Sequence, residues 1–141
     1  MQTKWEIKLM KSKALDNLEV AQSLINKKEA CSYTASIHCS YYAVFQYMTY
    51  ILAHTDNPIS YDEQTQQAKN QSSHEYIIIK IKERFDNKKE ARDFAQDVRD
   101  LKRDRVDADY SEREFNLDES LECRNQANRL ISKLKRYFGN I

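Results

Sequence analysis

Glycine and proline are almost missing from this chain: 141 residues hold one of each, Gly139 and Pro58. Turn-dense sandwiches and barrels need such residues at nearly every corner, so an all-β fold is disfavoured. A phosphate-binding loop of the P-loop or dinucleotide type needs several glycines, and that class of nucleotide site is excluded. An excess of charge of one sign is lacking too. Twenty-three Lys and Arg face 22 Asp and Glu, a net charge of +1. Such a balance gives no overall field to steer a polyanion, so nucleic-acid binding would require a local patch. The three cysteines, Cys31, Cys39 and Cys123, are odd in number and lack CxxC spacing. They fit neither a disulfide framework nor a zinc knuckle, and are expected as free thiols in a reducing compartment. The histidines are isolated and show no metal-ligand spacing, so no metal or other cofactor is expected. No stretch approaches the roughly 18 apolar residues of a membrane span. The first residues, MQTKWEIKLMKSK, carry no apolar run of the signal-peptide kind. The expectation is a cytoplasmic protein that makes no use of a membrane.

What is present is helical periodicity. Residues 8–28 read as a first helix, with Ala14, Leu18, Ala21 and Ile25 on one face and Lys27, Lys28 and Glu29 as a polar break. Residues 30–53 hold no Lys, Arg, Asp or Glu. Tyr33, Ile37, Tyr41, Val44, Met48 and Ile51 form one stripe, and Ala35, Tyr42, Phe45 and Leu52 form another. A helix apolar on two faces is buried between partners, so this one is expected at the centre of a bundle. Residues 54–72 are polar and read as a long connection, a length that usually marks function or mobility. Ser72 and Glu75 have the spacing of a capping box and open a third helix with Ile77, Ile78, Ile81 and Phe85 on one face. The β-branched run there suits a strand equally well, but the cap and the lack of a pairing strand favour a helix. Asn87 and Glu90 open a fourth helix, about 88–112. Asn116 and Glu119 open a fifth, to about 138, with Leu121, Ala127, Leu130, Ile131, Leu134 and Phe138 facing inward. The fold expected for residues 1–141 is a single all-α domain, an up-down bundle of four to five helices.

The fourth helix carries an anomaly. Phe94, Val98, Leu101, Arg105 and Ala108 form one continuous face, which puts a guanidinium at a core position. An isolated buried cation is very costly, so Arg105 must be paired or must line a wet cavity or interface. Asp109, one turn on, is within pairing reach. Two alternatives follow: a structural ion pair, or an anion-recognition cleft. All nine arginines lie between Arg84 and Arg136, so bidentate anion chemistry is expected in the second half of the chain. His38, one turn before Tyr41 and Tyr42, is favoured as a core residue, with a catalytic base supplied across a dimer as the alternative, and His54 reads as a cation at a helix C-terminus. The run Arg99, Lys102 and Arg103, interleaved with Asp100 and Asp104, reads as a solvated helix face. Arg129, Lys133, Lys135 and Arg136 read as cations suited to the end of a helix, with a phosphate-contacting strip as the alternative.

Three segments, SIHCSYYAVFQYMTYIL, SSHEYI and DLKRDRVDADY, resemble the HEPN domain (higher eukaryotes and prokaryotes nucleotide-binding). The subset resembled ends its fourth helix in Arg-x-x-Ala-Asp-Tyr, and the resemblance covers nearly the whole chain. It implies a helical bundle, commonly a homodimer, with its functional groups at the dimer cleft. It implies nucleotide or RNA as ligand and, for many members, a small nucleotidyltransferase partner in a toxin–antitoxin or defence system. On this resemblance the ligand-binding residues are Arg105, Asp109, Tyr110, Tyr41, Tyr42 and His74, and the cleft is favoured for Arg105. Active members are metal-independent endoribonucleases that carry an Arg followed, four to six residues on, by a His. The first Arg here is Arg84 and the last His is His74, so that motif is absent. Tyr110 stands where the His would be, and a phenol with a pKa ordinarily near 10 is poorly poised for acid–base work at neutral pH. The expectation is therefore a nucleotide- or RNA-binding module. The alternatives are an endoribonuclease with an altered site built on Arg105 and Tyr110, or a non-catalytic helical adaptor.

The two-faced helix 30–53 has more apolar surface than one small bundle readily covers. It predicts a symmetric homodimer with this helix and the fourth near the seam. Light scattering at micromolar concentration checks it, and a monomeric mass would contradict it.

Overall fold

The computed structural model describes residues 4–68 and 72–139, with side chains from residue 9 onward. Six helices follow in order: α1 Lys4–Asn26, α2 Ala30–His54, α3 Tyr61–Gln67, α4 Ser73–Glu83, α5 Lys88–Tyr110 and α6 Leu117–Phe138. The described residues contain no strand, so the expected all-α class holds. The helix count is one above the upper expectation, because the connection 54–72 contains α3. Residues 69–71 of that connection lie outside the described residues.

The uncharged segment takes the central place its composition demands. α2 packs against each of the other five helices. Ile37, Tyr41, Val44, Met48 and Ile51 of its first stripe are buried. Ala14 and Leu18 of α1, Ile77, Ile78 and Ile81 of α4, Phe94, Val98 and Leu101 of α5, and Ala127, Leu130, Ile131 and Leu134 of α6 join them in one buried core, and Ala21 and Ile25 of α1 are buried as well. The second stripe behaves differently. Leu52 is buried, but Tyr42 and Phe45 are only partly covered and Ala35 is exposed. Among the described residues no helix is long and apolar enough to cross a membrane.

α3 owes its existence to a local cap and to two side chains from the wider fold. Ser60 accepts a hydrogen bond from the Glu63 amide at 3.2 Å, and Asp62 and Glu63 place negative charge at the helix start. Gln64 is buried and donates through Nε2 to the Thr49 carbonyl at 3.1 Å and the Ile59 carbonyl at 2.8 Å, which fastens α3 to α2. Arg84 then ties down the chain between the two helices. It donates to Thr55 Oγ1 at 3.0 Å and to the carbonyls of Asp56 at 2.6 Å and Asn57 at 2.5 Å. The polar connection is thus a clamped segment over its described length.

The three expected capping signatures diverge. Asn116 and Glu119 form the full reciprocal box, with bonds of 2.8 and 3.2 Å. Asn87 caps the Glu90 amide at 3.0 Å. Ser72 stands at the N-cap position of α4 but makes no side-chain cap bond. Glu75, its expected partner, is drawn to α5 instead, where Arg99 donates from Nε at 3.1 Å and from a terminal nitrogen at 2.5 Å. Two bonds from a guanidinium outweigh the single bond that the carboxylate would accept from the Ser72 amide, so Glu75 does not complete a box.

Truncating the two caps should therefore give unlike results. Asn116→Ala is expected to cost about 1 kcal/mol of unfolding free energy, and Ser72→Ala less than about 0.5 kcal/mol. Urea midpoints of the two variants check this, and equal losses would contradict the difference between the caps.

Candidate functional site

The helical phase of α5 carries Arg105 inward behind Phe94, Val98 and Leu101. Its side chain is only 8% exposed. The guanidinium carbon lies 5.0 Å from the Tyr41 ring centroid and 5.5 Å from that of Tyr42. Both tyrosines come from the middle of α2, and ring faces stabilise a desolvated cation by about 0.5–2 kcal/mol each. Asp109 supplies the counter-charge one turn along α5, with a nitrogen–oxygen distance of 3.6 Å. That is an ion pair without a hydrogen bond, and Arg105 Nε is buried with no hydrogen-bond partner. Of the two alternatives for Arg105, the enclosed pair describes the geometry within one chain, and the open cleft does not.

The Asp109 carboxylate is held from its other side. His38 Nδ1 lies 3.0 and 2.9 Å from the two oxygens. The His38 side chain is 48% exposed and its ring stands 4.6 Å from Tyr42. His38 is therefore not the core residue expected. With Nδ1 engaged by the carboxylate, Nε2 is the nitrogen left for proton exchange, the arrangement by which a carboxylate orients a general base.

On the opposite flank the hydroxyl of Tyr41 lies 2.7 Å from His74 Nδ1. Burial pushes the Tyr41 phenol well above its ordinary range, against the opposing pull of Arg105, so it keeps its proton and donates. Burial, reinforced by the charges of Arg105 and Lys102, pushes His74 down to about 4. A neutral imidazole accepting at Nδ1 is the partner a protonated phenol needs. The ring of His74 also stacks on Phe45, at 4.2 Å and 22°. Glu75, next to His74, is held below the usual carboxylate range by its hydrogen bond to Arg99.

Tyr41, Tyr42, His74, Arg105 and Asp109 thus form one cluster from α2, α4 and α5. Tyr110 does not join them and is 79% exposed. Helix geometry explains the split. Four residues bring Asp109 back to within about 40° of Arg105, whereas five turn Tyr110 about 140° away. His38, which the sequence favours as a core residue, joins the cluster through Asp109. The available signal was its i, i+4 spacing from Tyr42, itself a candidate.

His54 also departs from expectation. Burial lowers its pKa, and its Nε2 lies 3.3 Å from the Tyr61 hydroxyl, so it is a neutral packing residue rather than a cation at a helix end. Burial, with Asp109 nearby, raises the Cys39 thiol, which makes it a poor nucleophile. Among the described residues no group of three His, Cys, Asp or Glu side chains is placed to hold a metal ion. No family model, curated protein or solved structure matches the chain.

The His74 environment sets a pH dependence. Its folded pKa of about 4 lies below the ordinary value of 6.5. The neutral ring therefore contributes stability that is complete above about pH 6.5 and is lost progressively as pH falls toward 4. Proton NMR titration should place the His74 midpoint near 4, and a midpoint near 6.5 would contradict this packing.

Proposed function

We propose that the chain is a HEPN-type module that binds nucleotide or RNA and lacks the Arg–His ribonuclease motif. In this reading it forms a homodimer and works with a nucleotidyltransferase partner in a toxin–antitoxin or defence system. The observation that supports it is convergence. The three segments that carry the resemblance lie far apart in sequence, yet Tyr41 and Tyr42, His74, and Arg105 with Asp109 meet in a single cluster. Their roles differ. Arg105 is too enclosed to be a direct phosphate contact in one chain, so it acts as the positioning cation. It holds the two tyrosines and Asp109 while His38, Tyr42 and Lys102 present the accessible surface. Tyr42 and His38 offer ring faces to a base, and Lys102 offers charge to a phosphate.

One observation favours a second reading, the endoribonuclease with an altered site. His38 and Asp109 form a base-and-carboxylate pair at the surface end of the cluster. That pair has the groups to take a proton from a ribose 2′-hydroxyl, with the roles of Arg and His separated onto different helices.

The experiment is a panel of nucleotides and single-stranded RNAs tested with pure protein in EDTA, for binding and for cleavage. The proposal expects binding without cleavage. Lys102→Ala should weaken RNA binding several-fold and reduce the slope of log affinity against log salt by about one. Cleavage abolished by His38→Asn would replace the proposal with the second reading. Absence of any binding would leave only the adaptor.

A further inference from the structure

Beside the cluster lies a groove that shares only Tyr42 with it. It runs between α1, α2, α3 and the start of α4 and has a volume of about 360 Å³. That is large enough for a small planar ligand. Tyr42, Phe45 and Tyr61 give it aromatic wall, and Gln46 and Gln64 set amide groups into that wall.

The two amides are fixed in opposite senses. Asn17 Nδ2 donates to Gln46 Oε1 at 2.8 Å, so the carbonyl of Gln46 is occupied and its NH₂ group is left as a donor. Gln64 is only 6% exposed, and its NH₂ group donates to the carbonyls of Thr49 and Ile59. Both hydrogens of that amide are used by main chain, and Oε1 remains as an acceptor. A donor and an acceptor of fixed identity, set among ring faces, complement a flat heterocycle whose edge offers an acceptor beside a donor. Every nucleobase has such an edge.

We propose that this groove is a nucleobase pocket, with the base packed against Tyr42 and Phe45 and its edge read by Gln46 Nε2 and Gln64 Oε1. The pocket deepens the nucleotide-binding reading and rests on it, since Tyr42 is shared with the Arg105 cluster. Nothing in the sequence pattern announces it. Gln64 and Tyr61 belong to the polar connection, and Gln46 is the lone amide side chain of α2.

The test uses uncharged nucleosides, so that changes of protein charge do not act on a phosphate. Adenosine, guanosine, cytidine and uridine are titrated into ¹⁵N-labelled protein, with ribose as the base-free probe. At least one nucleoside is expected to shift amides around the groove, and ribose is expected to shift none. Gln46→Glu keeps an oxygen for Asn17 and turns the groove-facing donor into an acceptor. It should weaken the nucleoside about tenfold or more with the urea midpoint retained. Thr65→Trp, an exposed position on α3 at the groove, should block it by bulk. Undiminished binding by both variants, or binding of ribose as tight as the nucleosides, overturns the pocket. If RNA still binds and responds to Lys102→Ala, the nucleotide-binding reading survives that loss. If neither nucleosides nor RNA bind, both fall together.

Discussion

A guanidinium enclosed in a helical core constrains everything around it. Arg105 cannot shed its proton and has almost no access to water, so its neighbours must neutralise it. The chain meets the demand with two ring faces from α2 and one carboxylate from the next turn of α5. These partners are themselves committed by the arrangement. Tyr41, packed under the cation, keeps its phenolic proton and passes a hydrogen bond to His74. His74 is in turn kept neutral by burial and by the same cation. Asp109, shared with His38, fixes the orientation of the one half-exposed imidazole of the cluster. A single buried charge therefore links α2, α4 and α5 and sets the protonation pattern at their junction.

The same constraint divides labour at the proposed site. The strongest cation is the least accessible, so binding would fall to the groups it arranges rather than to itself. Tyr42 stands at the boundary between two surfaces: the polar side with His38 and Asp109, and the groove with Phe45, Gln46 and Gln64. One ring thus adjoins a charged surface suited to a backbone and a slot suited to a base. The clamp by Arg84 and the buried Gln64 hold α3 in place, which gives the groove a firm outer wall.

Periodicity made the main helices readable, because burial of Ala14, Leu18, Ile37, Val98 and Leu130 follows directly from their spacing. The inward phase of Arg105 was readable for the same reason, and its pairing with Asp109 followed from one helical turn. Other features depended on partners distant in sequence. Ser72 and Glu75 look like a cap until Arg99 approaches from another helix and takes the carboxylate. Ser60 and Glu63 have the same spacing as the recognised caps, but α3 lacks an apolar run to announce it and is held by Gln64 and its bonds to Thr49 and Ile59. His38 was read as core because its own helix is apolar, while its role is set by a carboxylate 71 residues away. For Tyr110 the resemblance implies a place in the same site as Arg105, whereas helical rotation turns its side chain to solvent within one chain.

The central claim is that Arg105 organises this junction from inside. The most direct measurement is the unfolding free energy of Arg105→Ala from urea denaturation. Removing a cation that holds a partly enclosed carboxylate and two tyrosine faces should cost about 3 kcal/mol or more. A loss under about 1 kcal/mol, the range for a solvent-facing pair, would contradict it and return Arg105 to the role of a surface anion contact.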